Sequence, residues 1–558
     1  MALALIYSLK IGGKKMSKGK KVVSILMAVT MAVVFSGCQS NKNAESSSQP
    51  ATGTEATASS AQSAQEPLVI KHFYNYDWFN TDWTSSPSGQ EIQKQANVKI
   101  ELSKATSGDN TKLNLMVASG NIPDLITTNK DDPNIDLMIK NGIVLPISDF
   151  IDQYAPEIRK QSEPEVFKYY NYTDGKQYFF PSFLVTPYDL QQSDYNAVSG
   201  GDGVSAIRSD VYEAIGKPDM STPDGFFNAV KAAKGKFPKL TGWYFGAFNK
   251  DLTFFKAGEF QGYMFPATQF GIHVYDVNAD GKLTSGVRNP KFSEFVKFMN
   301  KMYTNGLMSS ESFVDAQDIK EAKKQKGDTI VLSGIVNDFN ETVKTQDNPE
   351  AGWVPLPYFA DGKYFKDGSG WTATLVSKKV AEPERLAKFI SFMTSQTGRE
   401  LDAYGVKGVH WEMKEIDGKQ VPRRTPEFQT LSETDGSKYQ KETGVSTYFA
   451  FSDDYIHGRM AALTDSEKTD YRKSLESIVR PHKEADIALG LIHPLSTSEE
   501  GIIQIKLNEL SKTYYPKMVM AKNEAVALDT YKEFLKKAEE IGLAKLEAAW
   551  TAKYAEFK

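Results

Sequence analysis

Residues 110–129, NTKLNLMVASGNIPDLITTN, decide the fold class. They read as a helix, a break at Gly120-Asn121 and a strand, DLITT. Upstream, residues 67–76, PLVIKHFYNY, combine apolar, β-branched and aromatic side chains and read as a first strand. Between them, residues 88–105, SGQEIQKQANVKIELSKA, give a short helix feeding a second strand. Strand, helix, strand, helix, strand is the order of an open α/β sheet. Downstream, helical phasing recurs at 289–308, where Phe292, Phe295, Val296, Met299 and Tyr303 share a face, and at 382–401. Residues 525–558 read as a long amphipathic helical segment broken at Gly542. Asp-Gly-Lys occurs at Asp174, Asp280, Asp361 and Asp417, each between short aromatic or β-branched stretches, and predicts tight hairpins.

The 558 residues are 40% hydrophobic and 24% charged, which suits a globular protein of several domains. A net charge of -4 supplies no field that would recruit nucleic acid. The single cysteine, Cys38, excludes an intramolecular disulfide and any cysteine cluster for zinc or iron-sulfur.

Lys14, Lys15, Lys18, Lys20 and Lys21 precede an apolar run from Val22 to Phe35. About fourteen apolar residues are short for a membrane span but match a secretory signal. Met16 is the more natural start by this charge layout. Phe35-Ser36-Gly37-Cys38 resembles a bacterial lipobox, with phenylalanine where leucine is usual. The resemblance implies a signal peptide over 1–37 and a diacylglycerol on Cys38, whose two chains would hold the protein at the membrane. Residues 39–65 contain no aromatic or large aliphatic side chain, so 38–66 is expected to be a lipidated, flexible tether.

Residues 113–126, LNLMVASGNIPDLI, and 204–227, VSAIRSDVYEAIGKPDMSTPDGFF, together with YTNGLMSSESF, AEPERLAKFISFMTSQTGREL and YGVKGVHWEMKEIDGK in that order, resemble the sugar-type solute-binding lipoproteins of bacterial ABC importers, LipO-like branch. The resemblance implies a two-lobed, periplasmic-binding-protein-like clamshell (type II) of α/β lobes with a cleft at the hinge. By analogy lobe 1 takes 67–190 plus 358–445 and lobe 2 takes 191–357 plus 446–558. The implied partners are an oligosaccharide or other sugar, ABC permease subunits and their ATPase on separate chains, and the membrane through the lipid; a monomer is expected.

Sugar rings pack a flat C–H face on Trp or Tyr and offer hydroxyls to carboxylates, amides and Arg. The densest aromatic stretch, HFYNYDWFNTDW, follows the first strand, where sheets of this class present ligand-facing loops. Tyr76, Asp77 and Trp78 are the leading ligand residues, with Trp83 behind them; the alternative is a core cluster. Trp371 follows a Gly-Ser-Gly stretch, and Trp411 and Trp243 are weaker stacking candidates. Asp194, Arg208 and Asp453 are possible hydroxyl partners, although Arg208 and Asp210 suit a structural pair at a helix start. Asp276, Asn278 and Asp280 match the first half of a calcium loop, but Val287 stands where a bidentate Glu belongs, so calcium is a weak cofactor candidate and no other is expected.

No zinc-protease, nucleophile-elbow or phosphate-loop motif is present, and no enzyme is expected. Three rivals stay open: a hydrolase using paired carboxylates, an adhesin, and a receptor for a peptide or other non-sugar solute.

Overall fold

The structure is a computed structural model that describes residues 66–556 except 107–109, 162–169, 183–202, 246–252, 256–263, 316, 337–338, 340–343, 367–371, 452–462, 465, 486, 491, 493 and 496–497. The expected signal peptide, Cys38 and tether, and with them Asp194, Trp371 and Asp453, lie outside the described residues.

The strands are β1 (Leu68–Tyr74), β2 (Val98–Lys104), β3 (Leu125–Asn129), β4 (Phe179–Pro181), β5 (Gly203–Arg208), β6 (Thr241–Phe245), β7 (Tyr275–Val277), β8 (Leu283–Ser285), β9 (Thr329–Ile335), β10 (Trp353–Pro355), β11 (Tyr364–Lys366), β12 (Thr372–Val376), β13 (Trp411–Ile416), β14 (Lys419–Arg424) and β15 (Lys483–Ala485). A first sheet has the order β2-β1-β3-β12-β4 and a second the order β10-β5-β9-β6. In the first, β1 runs parallel to β2 and β3, while β12 is antiparallel to β3 and β4.

Side-chain alternation explains why both faces are covered. On β1, Leu68, Ile70 and Tyr74 enter one apolar core together with Leu125 and Val376, whereas Phe73 enters another with Ile126, Ala373 and Leu375. The second sheet divides likewise, with Ile207, Trp243 and Phe245 on one face and Val204, Ala206 and Tyr244 on the other. Sheets buried on both faces read as near-continuous apolar runs, and all of β5 is buried.

The helices relevant to the site are α1 (Pro87–Ala96), α2 (Thr111–Ser119), α3 (Pro133–Lys140), α4 (Phe292–Thr304), α5 (Pro383–Thr394), α6 (Gly436–Thr443), α7 (Asp470–Val479), α8 (Glu499–Val519), α9 (Glu524–Ile541) and α10 (Leu543–Ala555). Phe292, Phe295, Val296 and Met299 bury the expected face of α4. The last helices join the second sheet's core through Leu507, Phe534, Leu546 and Trp550. Gly542, at φ 120°, separates α9 from α10 as expected.

Two expectations need correction. The phased run at 382–401 is two helices, because Ser395 ends α5 and its hydroxyl accepts from Gly398 N to start the next. Asp-Gly-Lys forms hairpins at Asp280 (β7–β8) and Asp417 (β13–β14), but at Asp361 it joins strands of different sheets: β10 pairs with β5 and β11 with β15. Tyr358 and Phe359 pack with the second sheet's cores, and Tyr448 to Phe451 pack with the first.

Candidate functional site

Four chain segments meet at one edge of the first sheet. β1 and β3 end there, at Tyr74 and Asn129. β12 begins there, with Thr372 opposite Asn129, and Ser182 follows β4, exchanging hydrogen bonds with Thr372. This is the carboxyl end of the parallel strands, the edge where open α/β sheets hold ligands. Residues 75–80 leave β1 at this edge and run into a short 3-10 turn, Thr81–Ser85, capped by Asn80. Ser86 and Pro87 then start α1 by a side-chain cap and a ready-made φ.

The loop carries the leading residues. Asp77 is exposed, Tyr76 is half-buried, and Trp78 is 45% exposed. Trp78 is not a loose surface ring: it lies 5.1 Å from the Tyr76 ring and stacks at 25° on Phe449, 5.7 Å away. Phe449 also touches Tyr74, Tyr76 and Phe79 edge-on or tilted, and Tyr74 stacks on Phe79. Rings backed in this way keep an orientation without ligand, which lowers the ordering cost of stacking a flat partner. Burial, reinforced by Asp132 and Asp131, pushes the Tyr76 hydroxyl well above its ordinary pKa, so it stays a neutral donor. Phe449 was missed by sequence reasoning; nothing in the aromatic-rich stretch VSTYFAF (residues 445–451) marks which ring faces β1, and its distance in sequence hides the contact.

Burial decides the remaining aromatic candidates. Trp83 is 1% exposed, stacks on Tyr448 at 4.4 Å and donates Nε1–H to the Gly444 carbonyl, so it is the buried support expected behind the loop. Trp243 and Trp411 are corrected to core residues. Trp243 is 2% exposed and donates to Ser333 Oγ, and Trp411 is 1% exposed and donates to the Gly405 carbonyl. Neither ring presents a face to a ligand. Arg208 is buried and forms ion pairs with Asp210 at 2.8 Å and Asp347 at 3.0 Å, the structural pairing at a helix start.

The calcium candidates have other partners in the structure. Asp280 pairs with Lys282 at 2.8 Å, the Asp276 carboxylate accepts from Asn289 Nδ2, and Asn278 closes the β7–β8 turn through its backbone. Among the described residues no group of three or more His, Cys, Asp or Glu side chains could hold a metal ion, and no helix is long and apolar enough to cross a membrane.

Residues 89–409 match the family profile of the bacterial extracellular solute-binding proteins. Over 232 residues the chain is 28% identical to the fructooligosaccharide ABC transporter substrate-binding protein FusA of Streptococcus pneumoniae; the alignment covers 40% of this chain and spans 41% of that relative. The structure resembles FusA in complex with kestose, with TM-score 0.66 and 18% identity over 88% of this chain and 99% of that one. It also resembles a solute-binding protein from Bifidobacterium longum infantis described as HMO-binding (TM-score 0.62, 14% identity, 88% and 99% covered). A third likeness is to the alginate-binding protein AlgQ2 without calcium ion (TM-score 0.59, 20% identity, 88% and 98% covered). These likenesses establish the fold, a solute-binding-protein α/β architecture.

Proposed function

We propose, for a chain that belongs to the bacterial extracellular solute-binding proteins, that it captures an oligosaccharide for an ABC permease, using the aromatic edge of the first sheet as one jaw. The observation that carries this reading is Trp78, exposed at the carboxyl edge of β1 yet backed by Phe449 and Tyr76. A flat sugar face would stack on Trp78, with Asp77 as a partner for ring hydroxyls. The second sheet is the other jaw in this reading, and contacts made by both exist together only when the jaws are shut, so ligand favours the closed form. Cys38 carries the lipid and 39–65 the reach to the membrane, and the permease and ATPase are separate chains. FusA and the milk-oligosaccharide and alginate binders among the similar structures support a carbohydrate over a peptide.

The test is a thermal-shift panel of kestose, N-glycan, milk-oligosaccharide and alginate fragments. A ligand at about 100 times its Kd should add about 2.7 kcal/mol. That corresponds to a rise of about 3 °C for a body of this size. Trp78→Ala should weaken binding at least tenfold, about 1.4 kcal/mol, with an unchanged melting temperature. A flat panel, or wild-type affinity in Trp78→Ala by calorimetry, would overturn the reading.

A further inference from the structure

What aims the Trp78 loop is a polar cluster just beneath it. The loop leaves β1 at Asn75, whose backbone N–H still donates to the Thr127 carbonyl at 2.9 Å. Its side-chain Nδ2 donates to Asn110 Oδ1 at 2.8 Å, Thr128 Oγ1 at 3.1 Å and Asp132 Oδ2 at 3.4 Å. Turning the amide over would set its oxygen against the Asp132 carboxylate, so the neighbours fix its orientation. The Asn75 Oδ1 is buried and has no partner among the described residues, so the NH₂ end alone holds this side chain.

Asp132 is the centre of the cluster. Its Oδ2 accepts from Asn75, from Asn110 Nδ2 at 3.1 Å and from Thr128 Oγ1 at 2.9 Å. Its Oδ1 accepts from the Asn134 backbone N–H and from Asn134 Nδ2, both at 2.9 Å. A carboxylate offers about four lone-pair sites, and these five donors leave none for a ligand hydroxyl. The two oxygens therefore divide the work: Oδ1 caps α3, while Oδ2 ties together the end of β3, the start of α2 and the first residue of the loop.

We propose that Asp132, acting through the Asn75 amide, is a positioning residue that sets the direction of the Tyr76–Trp78 loop and thereby the affinity of the site. The proposal rests on the reading that Trp78 contacts the ligand. It adds that an acidic residue at the strand end, which invites assignment as a sugar contact, works from beneath the platform instead.

Two variants separate positioning from helix capping. Asn75→Ala removes the link and leaves Asp132 capping α3. Asp132→Asn retains an oxygen for the cap, since Asn is as good a cap as Asp, but sets an NH₂ against the Asn75 and Asn110 donors. Each is titrated with kestose by calorimetry and probed without ligand by acrylamide quenching of the Trp78 emission, isolated by subtracting Trp78→Phe in the same background. All readings are taken well below each variant's own melting temperature.

The expected result is a Kd weakened about tenfold in each variant, a double variant no worse than the weaker single, and a Trp78 more readily quenched than in the wild type. A merely structural role would lower the melting temperature and leave the quenching alone. Wild-type affinity and quenching in both variants, with Trp78→Ala impaired, would overturn the positioning role and leave the site standing. Wild-type affinity in Trp78→Ala would instead remove the site, and the quenching alone would then decide whether Asp132 orients the loop.

Discussion

At the scale of single residues, burial separates the aromatic and titratable groups that composition leaves alike. His72, on β1 three residues before the loop, is fully buried between Tyr448 Oη and Thr127 Oγ1, each 2.8 Å from a ring nitrogen. Burial lowers its pKa to about 3, so the folded protein holds a neutral imidazole. An unfolded chain takes up that proton near pH 6.5. Between those two values the unfolded state binds more protons, so the stability from a neutral His72 is complete above pH 6.5 and is lost as pH falls toward 3. At pH 5 the loss is about 2 kcal/mol. The stability gap between wild type and His72→Gln, measured by urea unfolding, should therefore narrow by about that amount from pH 7 to pH 5; a constant gap would show that His72 takes up its proton in the fold as readily as in the unfolded chain. The sequence made His72 one of six scattered histidines and Trp78 one of seven tryptophans. Placement after β1 singled out Trp78, because strand ends are legible from pattern. The same pattern could not show that Trp243 and Trp411 are enclosed, since enclosure depends on side chains distant in sequence.

At the scale of elements, periodicity made the strands and helices of the first sheet legible, including the break after α2 and the one between α9 and α10. It did not show the interruption at Ser395, where one hydroxyl cap decides between a long helix and two short ones, or that the Asp361 turn joins different sheets. Nor did it show the docking of α6 on α1, which carries Phe449 to the site. That docking turns on Gly444, which follows α6 at φ 80°. Its carbonyl accepts from Trp83, and a Cβ there would come within 2.0 Å of Ser86 Oγ, the cap of α1. Gly444→Ala should therefore combine a left-handed backbone with a clash and cost about 1–3 kcal/mol in urea unfolding. It should also weaken ligand binding, because residues 445–451 would shift with Phe449. A stable variant with wild-type affinity would mean that α6 and α1 tolerate separation and that Phe449 is held by its own core contacts.

At the scale of the whole molecule, each sheet has its own apolar cores, and few elements are common to both. The chain passes between the sheets from β4 to β5, from β10 to β12, and from Phe451 to α7, whose Leu475 and Val479 pack against Val204, Tyr244 and Leu332. At the last crossing the β13–β14 hairpin, anchored to α6 by Arg424 Nε on Tyr439 Oη, grips the lead into α7: Arg423 makes a two-pronged ion pair with Glu467 at 2.7 and 2.5 Å. The guanidinium lowers the Glu467 pKa to about 2, so the pair stays charged at any pH at which the protein would meet a sugar. Were the two sheets the cores of separate lobes, those lobes would move relative to one another by default unless a large apolar interface locked them. If the aromatic edge of the first sheet is one jaw, ligand must add contacts to the second sheet that the open form lacks, and the mean size in solution must fall on binding. Small-angle scattering with and without kestose should therefore show a smaller radius of gyration in the wild type and in Trp78→Ala only at much higher ligand concentration. A radius unchanged at concentrations where calorimetry shows saturation would mean that the sugar sits on one sheet alone, and closure would have to be abandoned as the signal read by the permease.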